Sequence, residues 1–147
     1  MVMGARWGAL ATVGPEGPLA SMVAYAAEPG LGGLLMFLSG LSQHTRNLLS
    51  DPACSLVIGA PDPGEGDPQT LPRVTLNGSA APLPRDGGDF ARLWPVYASA
   101  FPDALSRLSL PDFLLFRMRI LTVRYVGGFA RAFTITGEQL ARGAARE

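Results

Sequence analysis

The sequence predicts a mainly β protein, a small β-barrel of six or seven antiparallel strands with two or three peripheral helices. Two observations lead to this fold class. Short apolar or alternating runs recur along the chain, and clusters of Pro and Gly separate them. Helical spacing is confined to a few stretches, so the pattern favours a barrel over a sandwich and argues against a parallel α/β fold.

The N-terminal part predicts a meander of three strands. Its runs are WGALATV (7–13), PLASMVAYAA (18–27) and LLMFLS (34–39), with the turns GPEG and EPGLGG between them. Because GLGG lies between two strands and not before a helix, it predicts a turn and no dinucleotide-binding loop. Runs this apolar indicate strands covered on both faces, either in a closed barrel or under a dimer partner.

The C-terminal part predicts three or four further strands. ACSLVIGA (53–60) is one, and PRVTLNGSAAPL (72–83) is another with a bulge or bend at Gly78, while 60–69 forms an exposed loop. From residue 112, apolar residues alternate with arginines, which predicts a strand that breaks at Gly127-Gly128 before a last strand.

Three helices are predicted. Residues 86–101 have helical spacing, although Pro95 must kink the helix or start a new segment. The segment TGEQLARGAARE predicts a short polar helix at the end of the sequence. SQHTRNLLSDP (42–52) predicts a helix that ends at Asp51-Pro52, because the residue before a proline avoids the helical region.

The start of that third helix has two readings. Ser42 is a good N-cap, whose side-chain oxygen accepts a backbone N–H of the first turn. The free amides, the helix dipole and the polar side chains beside them would attract an anion such as a phosphate. The other reading is an ordinary capped helix with its polar residues in water. The sequence alone leaves both open.

Composition limits the partners. The chain has 147 residues, enough for one domain over 1–147, and 48% of them are apolar against 16% charged, which suggests that a partner subunit covers some surface. Twelve basic residues balance twelve acidic ones, so no basic field is expected for nucleic acid or membrane. No apolar run reaches 18 residues and no leader opens the chain, so we expect a soluble, cytoplasmic protein.

Residue usage excludes several chemistries. Every basic residue is arginine, which excludes Schiff-base chemistry and a Walker-type phosphate loop. One histidine and one cysteine exclude zinc fingers and internal disulfides, no metal site is expected, and Cys54 predicts a buried thiol. His44 and Ser42 are two apart on a helix and do not face each other, so they form no triad. No catalytic acid or base is identified.

Two further features stay open. Arg117, Arg119 and Arg124 lie on one predicted strand and form either a solvated face or a surface between subunits. Gly127-Gly128 is either a simple bulge or a place where a backbone or a flat ligand comes close.

In their order, four segments resemble the pyridoxamine 5′-phosphate oxidase-like family of FMN-binding split barrels, and within it the haem-utilisation branch. They span nearly the whole chain: ALATVGPEGPLASMVAY (9–25), FLSGLSQHTRNLLSDPACSLVI (37–58), RVTLNGSAAPL (73–83) and YVGGFARA (125–132). The resemblance implies a homodimeric split barrel with FMN at the subunit interface and the flavin phosphate at the helix start. The flavin would also meet the partner's region near Gly127, Gly128 and Phe129.

The resemblance also implies a set of FMN-binding residues. Met22 and Val23 would line the flavin with their backbone, and Arg73 would lie near its ring. The full set is Ser21, Met22, Val23, Ser39, Ser42, His44, Thr45, Asn47, Arg73 and Gly128.

This chain departs from the oxidase pattern at several of those positions. Ser21 stands in the place of a strand arginine, Gln43 in that of the helix arginine, and His44 in that of a phosphate-binding lysine. The tail of the chain also lacks the arginine and histidine pattern with which the oxidases bind their substrate, so oxidation of a pyridoxamine phosphate is not expected.

Three functions follow from the resemblance. The leading one is an FMN-dependent oxidoreductase of unknown substrate. The second is a protein for haem or another flat tetrapyrrole, with His44 as its sole histidine ligand. The third is a cofactor-free structural dimer.

Overall fold

The computed structural model describes residues 1–128 and 131–145. In this part of the chain it has eight strands: β1 (Trp7–Gly14), β2 (Gly17–Ala24), β3 (Ala26–Ala27), β4 (Leu34–Ser39), β5 (Ala53–Gly59), β6 (Arg73–Pro82), β7 (Phe113–Val126) and β8 (Ala132–Thr136). Its helices are α1 (Gln43–Ser50), α2 (Gly88–Ala100) and α3 (Gly137–Ala144). Short 3₁₀ turns cover 29–31, 68–70 and 102–107.

The strands form one antiparallel sheet in the order β2-β1-β5-β6-β7-β4-β3, and β8 pairs with β7. The long strand β7 pairs with β4 through its first half and with β6 along most of its length, which curls the sheet around a common core. The predicted mainly β split barrel is confirmed. The run 18–27 is divided into β2, which pairs with β1, and β3, which pairs with β4.

The barrel interior is filled by the inward residues of alternating strands, as period-two patterning requires. Leu10, Leu34, Met36, Leu56, Leu76 and Phe116 are fully buried there. Cys54 belongs to this cluster, and burial raises the pKa of its thiol to about 11, so the predicted buried thiol is confirmed.

Strand β4 is buried on both faces, and α2 of the same chain covers its outer side. Leu35 and Phe37 pack there against Phe90, Leu93 and Tyr97. The outer face of β4 is therefore covered by a helix of the same protomer. Helix α2 continues through Pro95, so the expectation that a new segment starts there is wrong.

The predicted bulge at Gly78 is confirmed. The register between β6 and β7 shifts between Asn77 and Gly78, because Asn77 lies opposite Thr122 while Gly78 lies opposite Ile120. A Cβ on Gly78 would lie 2.1 Å from the Arg119 carbonyl oxygen, so only glycine allows this close approach of the two backbones.

The remaining expectations from the sequence have mixed outcomes. The loop at 60–69 is exposed along most of its length, and α3 forms within the predicted C-terminal helix. No helix among residues 1–128 and 131–145 is long and apolar enough to cross a membrane. The single domain over 1–147 and the homodimer stay predictions.

Candidate functional site

The start of α1 lies against the side of β2 that faces the barrel interior. Ser21 is opposite Leu10 in the β1–β2 register, and Leu10 is fully buried, so the Ser21 side chain points inward. There its Oγ lies 3.1 Å from Nδ1 of His44. The sequence placed both residues at one site, and the structure brings them into contact.

The surroundings of His44 favour its neutral form. Partial burial of the ring removes water from it and lowers its pKa. Among the described residues, the His44 ring makes its hydrogen bond to Ser21, through Nδ1. This leaves Nε2 for another partner. When Nδ1–H donates to Ser21, the lone pair on Nε2 is available to a metal ion.

Ser42 occupies the N-cap position, but its side chain caps nothing. Its backbone is extended, and its carbonyl accepts from the amides of Thr45 and Arg46, while its hydroxyl makes no capping bond. The prediction of a side-chain cap was wrong. Arg46 folds back onto its own turn, where it donates to the Leu41 carbonyl over 2.6 Å and to Gln43 Oε1 over 2.7 Å.

Thr45 and Asn47 are buried in the body of the protein. Thr45 is fully buried, and its Oγ1 has no hydrogen-bond partner among the described residues. Asn47 Nδ2 donates to Thr12 Oγ1 over 3.0 Å, and Gln43 Nε2 donates to Asn47 Oδ1 over 2.8 Å. Asn47 therefore fastens α1 to β1, and this network was not foreseen. The one sequence signal for it is a polar Thr12 at an inward position of β1.

The two residues after Ser21 point to opposite sides of β2. Val23 is buried inside the barrel, whereas Met22 is 51% exposed on the outer face. The Ser39 Oγ donates to Oδ2 of Asp112, just before the start of β7, over 2.8 Å. This hydroxyl therefore already has a hydrogen-bond partner within the chain.

Arg73 and Gly128 lie away from the helix start. Arg73 is on β6, three strands from β2 in the sheet, and its guanidinium donates to the Gln69 and Leu71 carbonyls. Gly128 has φ +119 in the turn that joins β7 to β8, where the Gly127 amide donates to the Arg131 carbonyl. Gly127-Gly128 therefore forms a hairpin turn. Phe129, which the resemblance placed near a flavin, lies outside the described residues.

A single antiparallel sheet curled around one core, with a short helix packed against its edge strand, defines the split β-barrel class. Residues 2–127 match the family model described as pyridoxamine 5′-phosphate oxidase, and the chain belongs to that family.

The relatives are named for haem. The chain is 36% identical over 121 residues to the non-canonical heme oxygenase HOZ, chloroplastic, of Arabidopsis thaliana, covering 82% of this chain and 35% of that protein. It is 26% identical over 109 residues to heme oxygenase HutZ of Vibrio cholerae, covering 74% of this chain and 62% of that one. The chain thus spans between about a third and just under two thirds of these relatives.

A solved structure agrees with them. A structure of a heme binding protein from Mycobacterium smegmatis superposes with a TM-score of 0.81 at 36% identity. The match covers 93% of this chain and 55% of the other.

These relatives overturn the expectation that FMN is the cofactor and that the chain is an FMN-dependent oxidoreductase, because their names point to haem. The geometry offers a physical reason. At the helix start a phosphate would meet a neutral His44, and the nearby guanidinium of Arg46 is already bound to its own turn.

The residues present fit several requirements of haem. Haem iron in proteins takes ligands such as a neutral imidazole, and His44 is the single histidine of the sequence and is held neutral. Its ring is oriented by Ser21, as second-shell partners orient ligating histidines. The exposed Trp7, Met22 and Val57 lie on the outer face of the sheet, opposite to the side of β2 on which Ser21 meets His44.

Proposed function

We propose that this protein binds haem, or a closely related flat tetrapyrrole, as a homodimeric split barrel. The observation that carries the proposal is the 36% identity to both the plant haem oxygenase and the mycobacterial haem-binding protein, each across more than four fifths of this chain.

The helix start supports this proposal through the chemistry of His44. A ligand to iron must be deprotonated, and burial lowers the pKa of this imidazole so that it is neutral at neutral pH. We propose Nε2 of His44 as the iron ligand, with Ser21 as the residue that fixes the ring.

The dimer is proposed because the cavities described in one protomer are not lined by His44. Five cavities lined by described residues have volumes of about 230 to 460 Å³, and none of the five is lined by His44. Ligand sites bury most of the surface of the molecule they hold. A second copy on the exposed outer face would supply the missing cover.

Titration of the purified protein with hemin tests the proposal. We expect a saturable Soret band distinct from that of free hemin, with FMN as the control ligand that gives no binding. A hemin spectrum that stays that of the free compound, at protein concentrations up to the high micromolar range, would overturn haem binding.

The variant His44→Ala then tests the iron ligand. Loss or displacement of the Soret band, with binding restored by added imidazole, would support ligation by His44. Identical spectra and affinities of variant and wild type would remove that role while leaving haem binding in place.

A further inference from the structure

Strand β7 has a gap along the edge that it shares with β4 and β8. The pairing with β4 stops at Met118 and the pairing with β8 starts at Thr122, so no strand among the described residues pairs with 119–121 on that edge. At the usual rise of a strand, three residues leave about 10 Å between the two neighbouring strands. The sheet therefore has a short open edge that is bounded on both sides.

A cavity of about 430 Å³ lies at this gap. Its walls come from β7, from the 3₁₀ turn 29–31 and from the first turn of α3. Leu31, Ile120 and Leu121 make part of its lining apolar. The volume is in the range of sites that hold small molecules. The cavity lies four strands from β2 in the sheet, so it is distinct from the helix start that holds His44.

Two opposite charges line this cavity, Arg119 from β7 and Glu138 from α3. Both residues are exposed, and neither belongs to the two ion pairs found among residues 1–128 and 131–145. The two charges therefore do not neutralise each other through direct contact. A ligand that carries one charge of each sign would find a partner for both.

The backbone of the cavity wall is strained at Leu31. Its φ of 52° is the only positive value of a residue other than glycine among residues 1–128 and 131–145. A side chain makes this left-handed conformation unfavourable, and the buried packing of Leu31 holds it in place. Strain of this kind is concentrated at sites that bind ligands.

We propose that this cavity binds a zwitterionic dipeptide with apolar side chains. The guanidinium of Arg119 donates to the carboxylate of the dipeptide, and its ammonium group donates to the carboxylate of Glu138. Two extended residues span at most about 7 Å, which fits the gap between β4 and β8. An extended peptide also has the backbone groups that pair with an open strand edge. The proposal does not depend on haem binding.

Isothermal titration calorimetry with the dipeptide Ala-Leu and two capped forms tests the proposal. N-acetyl-Ala-Leu lacks the ammonium group, and Ala-Leu amide lacks the carboxylate. We expect wild type to bind Ala-Leu saturably and each capped form about tenfold more weakly, the discrimination that one charge-assisted hydrogen bond supplies. Free leucine should also bind more weakly, because it spans less of the open edge.

Two variants assign the charges. Arg119→Gln should remove the preference for Ala-Leu over its amide and keep the preference over the acetylated form. Glu138→Gln should do the reverse. Arg124→Gln is the matched control, because Arg124 is exposed on the same strand and does not line the cavity, so its preferences should equal those of wild type. Equal thermal stability of the variants would show that folding is intact.

Three results would contradict the proposal. Absence of Ala-Leu binding to wild type at millimolar concentrations would overturn the site. Unchanged preferences in Arg119→Gln and Glu138→Gln would overturn the roles of the two charges. Free leucine that binds as tightly as Ala-Leu would overturn the length of the ligand. None of these results bears on the hemin titration, so the proposed function is tested separately.

Discussion

The hydroxyl of Ser21 lies 3.1 Å from Nδ1 of His44, across 23 positions of sequence. This contact joins the edge strand β2 to the first turn of α1, next to the buried bond between Asn47 and Thr12. The His44 ring is partly buried and hydrogen-bonded through one nitrogen, so the contact is structural. His44 is also the only histidine of the chain.

The stability of the protein should depend on the charge of His44. Burial lowers its pKa in the folded state below the ordinary 6.5, so the unfolded chain binds the proton more tightly. This contribution to the free energy of unfolding is complete above pH 6.5 and is lost as the pH falls through the lowered folded pKa. Urea unfolding of wild type and His44→Gln between pH 7.5 and 5.5 measures it. The stability difference should shrink on acidification, and a constant difference would contradict this account.

The buried hydroxyl of Thr45 should be removable at a gain. Its Oγ1 is buried without a partner among the described residues, whereas a methyl group at that place needs none. Thr45→Val should raise the free energy of unfolding by about 1 kcal/mol. Thr12→Val is the matched control at an equally buried threonine, and it should lower stability by about 1–3 kcal/mol because it leaves Asn47 Nδ2 unpaired. Chemical denaturation of both variants checks this, and destabilisation by Thr45→Val would contradict it.

Substitution of Glu28 and substitution of Arg117, which form an ion pair, should lower the free energy of unfolding by different amounts. The side chain of Glu28 is 5% exposed, while that of Arg117 is 35% exposed. Arg117→Gln leaves a buried carboxylate without its cation and should cost about 3 kcal/mol. Glu28→Gln leaves an arginine that can turn to water and should cost about 1 kcal/mol. Thermal and urea unfolding compare the two, and equal losses would show that burial does not set the balance.

The bulge at Gly78 should tolerate no side chain. A Cβ there would lie 2.1 Å from the Arg119 carbonyl oxygen, so the two strands must separate. Gly78→Ala should lower the free energy of unfolding by about 3 kcal/mol. Gly59→Ala on the neighbouring strand is the control, because a Cβ there meets nothing within 4 Å. Similar stabilities of the two variants would contradict the packing described for Gly78.

Much of this fold was predictable because its signals are local. Gly78 was predicted as a bulge or bend from one glycine in an alternating run, and the end of β7 before Gly127-Gly128 from two glycines after another such run. No new segment starts at Pro95, and the local rule for proline did not reveal that Leu93 and Tyr97, on either side of it, pack against β4 and hold the helix in place.

The candidate site was harder to predict, because its contacts join residues far apart in sequence. Thr12 and Asn47 are 35 positions apart, and no local pattern pairs them. Ser42 is at the predicted cap position without the predicted side-chain bond. The FMN expectation came from resemblance at the level of the family, whereas the relatives at 36% identity are named for haem. The sequence therefore predicted the fold more reliably than it predicted the ligand.

The outer face of the sheet should be the dimer interface. Val57 is exposed there at the end of the apolar row of Met22, Ala9 and Val57 on β2, β1 and β5, and such a surface is seldom left in water. Val57→Glu would place an unpaired carboxylate in that interface, where removal from water is costly. Light scattering coupled to size-exclusion chromatography should show a wild-type dimer and a Val57→Glu monomer. Leu105→Glu, at a 56% exposed leucine in the 3₁₀ segment 102–107 outside the sheet, should remain dimeric. A monomeric wild type would overturn the dimer, and a dimeric Val57→Glu would move the interface to another face.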